Sequence, residues 1–93
     1  MVQITAVQMV GGIQHEHIAQ LYWIDLQTNE RAWATRQQMV NFLSQAPGQA
    51  IVRDQFGSIE VRIVNTTPQY VRTYADERWT DNLLSLPGGP NAR

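Results

Sequence analysis

The chain has 93 residues and a mass of 10.6 kDa, enough for one domain. Its hydrophobic share of 43% is that of a soluble globular chain and excludes disorder as the default state. A net charge of −1 and a pI near 6.0 exclude nucleic-acid binding through a broad basic surface, and the lack of Cys excludes disulfides, thiol nucleophiles and Cys-ligated metals.

Val2–Val10 alternates Val2, Ile4 and Ala6 against Gln3 and Thr5, then changes phase around Val7, and reads as a strand closed by Gly11-Gly12. His15-Glu16-His17 reads as a solvated loop between strands. Two imidazoles two residues apart share a face if extended, but a metal needs a further good ligand, and the spacing of Asp25 or Glu30 demands neither. No metal and no cofactor are expected. Ile18–Leu26 is a second strand, with Leu21, Trp23 and Asp25 on one face. Gln27-Thr28-Asn29-Glu30 is turn chemistry, and Arg31–Ala34 is the returning strand of a hairpin.

Thr35 begins the one clear helix. Thr35 and Gln38 have the spacing of a capping box, and Met39, Val40, Phe42 and Leu43 form an apolar stripe through about Gln45. Ala46-Pro47-Gly48 ends it. Gln49–Asp54 and Ser58–Val64 are strands joined by Gln55-Phe56-Gly57. In the second of them Ile59, Val61 and Ile63 face away from Glu60 and Arg62. After the Asn65-Thr66-Thr67-Pro68 turn, Gln69–Tyr74 is the last strand. The expected fold is α+β: five or six mostly antiparallel strands with one helix packed on a face, a single domain over 1–87 and a disordered tail over 88–93.

So short a chain buries only roughly 60–65% of the surface its unfolded form exposes, so a homo-oligomer is expected. The start, Met1-Val2-Gln3-Ile4-Thr5, has neither a basic flank nor an apolar run, and no segment is long and apolar enough to span a membrane; the expected compartment is the cytoplasm. All basic residues are Arg, at 31, 36, 53, 62, 72, 78 and 93. Codon bias explains this, and so does a need for planar forks that grip carboxylate or phosphate. No Ser/His/acid order, glycine-rich phosphate loop or zinc-protease helix is present, and the carboxylates Asp76, Glu77 and Asp81 lie beside Arg72 and Arg78, so no enzyme is expected.

The stretch from Gln69 to Pro87 is the densest in unusual residue types. On structural grounds Asp76 accepts bonds from a turn, Asp81 or Asn82 caps a helical turn at Asn82–Leu86, and Leu83, Leu84 and Leu86 plug the core or a partner surface. On functional grounds Arg forks, the Asn82 amide and the rings of Tyr70, Tyr74 and Trp79 clamp an anionic ligand bearing a base or sugar.

Tyr70-Val71-Arg72-Thr73-Tyr74-Ala75-Asp76, a four-residue gap, and Asp81-Asn82-Leu83-Leu84-Ser85-Leu86-Pro87 resemble the C-terminal signature of a small bacterial and phage domain family of unknown function. Ile4-Thr5-Ala6-Val7 and Gly48-Gln49-Ala50-Ile51-Val52 are similar to its first and middle strands, so the resemblance covers nearly the whole chain. More distantly, the pattern is similar to phage sponge proteins that counter Thoeris immunity. That resemblance implies a non-enzymatic homo-oligomer sequestering a cyclic ADP-ribose isomer or cyclic oligonucleotide. It carries over to Arg72, Thr73, Asp76 and Asn82, with Arg72 as the phosphate contact; Tyr70 and Trp79 are the adjoining aromatic candidates. The alternative is a homo-oligomeric structural or protein-interaction domain without a small ligand, anchored by Trp79, Leu83, Leu84 and Leu86.

Overall fold

A computed structural model describes residues 1–92. Its elements are β1 (Val2–Met9), β2 (Ile18–Asp25), β3 (Arg31–Thr35), α1 (Arg36–Gln45), β4 (Ala50–Asp54), β5 (Gly57–Val64), β6 (Tyr70–Ala75) and β7 (Arg78–Thr80). Short 3₁₀ turns lie at His15–His17 and Asn82–Ser85. The strands form one seven-stranded sheet in the order β3-β2-β1-β4-β5-β6-β7. All neighbours are antiparallel except β1 and β4, which pair in parallel at Val2–Ala50 and Gln3–Ile51. The class is the α+β class expected, but with seven strands rather than five or six.

The additional strand is β7. Asp76 and Glu77 both take positive φ, 53° and 63°, the two-residue loop geometry whose twist suits a tight hairpin. Neither residue is the Asn or Gly that usually marks such a loop, and three residues are too few to show an alternating pattern. β7 was therefore invisible to periodicity.

The phase change in β1 also has a physical origin. Register slips between Ile4 and Ala6, leaving Thr5 as an extra residue, so Val2, Ile4 and Val7 all point into the core. The change falls at Thr5, two residues earlier than the pattern suggested. α1 forms as expected. The Thr35 hydroxyl accepts from the Gln38 N–H at 3.1 Å, and Gln38 Oε1 accepts from the Thr35 N–H at 2.8 Å. Met39, Val40 and Leu43 are buried on the sheet, whereas Phe42 remains 38% exposed.

β1 and β4 stay paired for only two residue pairs, and the C-terminal segment occupies the gap that follows. The Val7 N–H donates to the Pro87 carbonyl at 2.9 Å, and Leu83, wholly buried, fills the core beneath. Burying a Leu side chain contributes about 1.5–3 kcal/mol. Leu83 and Leu84 therefore belong to this chain's core and are not surface anchors for a partner. Of the segment expected as a disordered tail, 88–92 carries backbone bonds from Asn91 N–H to Leu84 and from Ala92 N–H to Gly89, while Arg93 lies outside the described residues.

Gly88 is required by this closure. Its φ is +88°, and an added Cβ would lie 1.9 Å from the Val7 carbonyl oxygen. Gly88→Ala is expected to destabilise the domain by more than ~1 kcal/mol in urea unfolding, whereas Gly57→Ala, where a Cβ meets open space, costs only its backbone strain. Equal losses at the two positions would show that residues 87–88 do not close the sheet.

Candidate functional site

The candidate residues of the C-terminal stretch fall into two groups. Arg72, Thr73 and Asn82 come together, because the β6–β7 hairpin sets Thr80 opposite Thr73 and the following 3₁₀ turn folds back beneath it. Tyr70, Asp76 and Trp79 lie elsewhere: Tyr70 at the start of β6, Asp76 in the hairpin loop, and Trp79 opposite Tyr74.

Thr73 is completely buried. Its hydroxyl donates to the Thr80 carbonyl at 3.1 Å and accepts from the Asn82 N–H at 3.3 Å. The Thr80 hydroxyl lies 2.6 Å from Thr73 Oγ1 and 2.7 Å from Asn82 Oδ1, with one proton to give. The Asn82 amide also donates to Asp54 Oδ2 at 3.3 Å, and Asp54 Oδ1 accepts from the Phe56 N–H, so the β4–β5 turn is tied to the same cluster. Arg72 completes it: Nε donates to the Thr80 carbonyl at 3.0 Å and Nη2 to Asp81 Oδ1 at 2.8 Å. The Asp81 side chain is spent on Arg72 and makes no cap, and Asp76 forms its turn through backbone conformation.

His15 sits beside this cluster and is 5% exposed, which corrects the expectation of a solvated loop. Its Nε2 has no hydrogen-bond partner and lies 3.8 Å from Asp81 Oδ1. Burial, then the nearby Arg72 charge, hold its pKa below the ordinary imidazole value. His17 turns the other way and accepts from the Gln14 N–H at Nδ1. Among the described residues no group of three metal-ligating side chains occurs.

A second arrangement involves residues that sequence reasoning assigned to strands and core. Val2, Trp23, Asp25, Trp33, Ala34, Gln38, Met39 and Phe42 line a groove of about 410 Å³ between α1 and the β2–β3 hairpin. Trp33 is 48% exposed and packs edge-on against Tyr22, with ring centroids 5.1 Å apart. The groove requires α1 to lie along the hairpin, a tertiary placement that no local pattern reports. Two Trp residues ten apart on paired strands were the only available signal. A further depression of about 480 Å³ beside the end of α1 is lined by Glu60 and Arg62, which already bond each other.

Together these features define a small α+β domain with residues 72–82 folded into a buried polar cluster and a groove on the opposite flank of the sheet order. The chain belongs to the family described as a protein of unknown function, DUF3892, which it matches over residues 3–87. No curated protein and no solved structure matches it. No helix among the described residues is long and apolar enough to cross a membrane.

Two expectations follow. Thr73→Val leaves the Asn82 N–H without its partner and should cost about 1–3 kcal/mol by urea unfolding, more than Arg72→Ala, whose Asp81 partner is 63% exposed. The second concerns pH. Native His15 resists protonation while the unfolded chain takes up the proton, so stability is full above the ordinary imidazole range and falls as pH drops through it. Between about pH 7.5 and 5 the wild type should lose stability relative to His15→Gln, by at most ~1.4 kcal/mol per pH unit. Parallel profiles would show that His15 is solvated.

Proposed function

We propose that the chain is a binding domain rather than an enzyme, and that the groove between α1 and the β2–β3 hairpin is where it binds. One observation supports this reading above others: Phe42 stands 38% exposed at the rim of a cleft, walled by Trp23 and Asp25 from one face of β2, that the fold leaves unfilled. Its volume of about 410 Å³ falls in the range of sites for small molecules. Exposed aromatic rings supply large contact area at small entropic cost, because each has only two side-chain torsions to fix. The occupant is a small molecule with an apolar part.

Sequestration of a cyclic nucleotide-type signal, as in a phage sponge, is the second reading. Arg72 argues against it in its simplest form, since its Nε is bonded to the Thr80 carbonyl and its Nη2 to the Asp81 carboxylate, whose charge opposes a phosphate there. A different feature favours it. On the sheet surface the Arg62 guanidinium lies 4.3 Å from the Tyr74 ring centroid, and Trp79 packs edge-on against Tyr74 at 5.1 Å. Such a cation–aromatic ladder suits a stacked base. In that reading the ligand contacts shift from Arg72 and Thr73 toward Trp79 and its neighbours, and a second subunit encloses the site.

Thermal-shift screening with a fragment library and with cyclic ADP-ribose isomers separates the two. A ligand present at 100 times its Kd should add about 2.7 kcal/mol. Under the groove reading, stabilising fragments lose their effect in Phe42→Ala and keep it in Trp79→Ala. Stabilisation by a cyclic nucleotide that only Trp79→Ala removes would replace this reading with the second.

A further inference from the structure

The groove has a distinctive charge. Among its lining residues Asp25 is the one charged side chain, and none is basic. Asp25 closes β2, and its Oδ1 accepts from the Gln27 N–H at 2.8 Å and the Thr28 N–H at 3.2 Å. These two backbone bonds, with a smaller contribution from the Met1 ammonium, hold its carboxyl below the ordinary range, so it is an anion near neutral pH. The turn uses one carboxylate oxygen and leaves the other for a ligand.

Trp23, on the same face of β2 as Asp25, and Phe42 on α1 line the groove with it, whereas the Trp33 ring packs on Tyr22 on the other face of the sheet. The face of an aromatic ring carries negative quadrupole charge and attracts cations, Trp most strongly. Carboxylate and ring faces therefore act with the same sign. A phosphate or carboxylate ligand would be repelled and would find no donor fork. A neutral apolar ligand would strip water from the Asp25 carboxylate and offer it no bond beyond the two from the turn, which is costly. Gln38 adds no charge, and its Oε1 is committed to the Thr35 N–H.

We propose that the groove binds a small organic cation, an alkyl- or arylammonium whose carbon part packs on Trp23 and Phe42 and whose charge lies against Asp25 and the ring faces. This inference rests on the groove being the binding site and specifies the class of its ligand. A bare ammonium ion is strongly hydrated and would leave the aromatic rim unused. A substituted ammonium spreads the same charge over methyl groups that the rings can cover.

The test pairs two molecules of one shape, choline and its uncharged carbon analogue 3,3-dimethylbutanol, titrated by tryptophan fluorescence and calorimetry. Choline is expected to bind at least about tenfold more tightly, and Asp25→Asn, which keeps the acceptor that the turn needs, should remove that preference. Phe42→Ala, at an exposed helix position away from the turn, should weaken choline by about tenfold without altering the circular dichroism spectrum. Equal binding of the two molecules, both weakened by Phe42→Ala, would overturn the cation inference and leave the groove standing. No saturable choline binding up to roughly 10 mM would also overturn it, and the fragment screen then decides the groove separately.

Discussion

A buried hydroxyl with no access to water must find its partners within the chain, and Thr73 is such a hydroxyl. Its partners are the carbonyl of Thr80 and the N–H of Asn82. Satisfying both requires β6 to turn back at Asp76-Glu77, β7 to end at Thr80, and the next residues to fold under the sheet. That path seats Leu83 in the core and delivers Pro87 to the Val7 N–H where β1 and β4 separate. The Asp54 contact ties the β4–β5 turn to the same point. One polar residue in an apolar interior thus fixes the last quarter of the chain, and leaving it unpaired would forfeit about 1–3 kcal/mol of a marginal total.

This arrangement gives residues 72–84 a structural explanation. Thr73 and Asn82 bond each other, Arg72 bonds the Thr80 carbonyl and Asp81, and Leu83 and Leu84 are core. The surfaces left for recognition are those the folding problem does not consume: the groove rim at Phe42, and the Arg62–Tyr74–Trp79 ladder. They differ in sign. The groove carries the Asp25 carboxylate, whereas the Arg62 charge on the ladder is paired with Glu60.

Elements with strong local signals were legible from the residues alone. The Thr35 and Gln38 capping box, the Gly48 stop with φ +79° and the alternation of β5 all fall where the pattern put them. What local pattern could not carry was pairing. The position of β4 beside β1, reached through α1 across β2 and β1, depends on packing between residues far apart in the chain. The same is true of the site. Trp23, Asp25 and Phe42 each have an ordinary local explanation, as strand, turn or helix residues, and become a site only when α1 lies along the hairpin. His15 shows the converse error, since a polar residue between two glycines and a strand reads as solvent-facing, yet the fold buries it.

The central claim is a division of labour, with the polar cluster of residues 72–82 holding the fold and the groove receiving the ligand. An amide and indole chemical-shift titration of the isotope-labelled protein with choline tests it most directly, because every residue reports at once. The account predicts shifts concentrated at the Trp23 indole and at the amides of Asp25 and Phe42, with the amides of residues 72–82 unmoved. Shifts centred on Arg72 and Asn82, with the Trp23 indole unchanged, would contradict it.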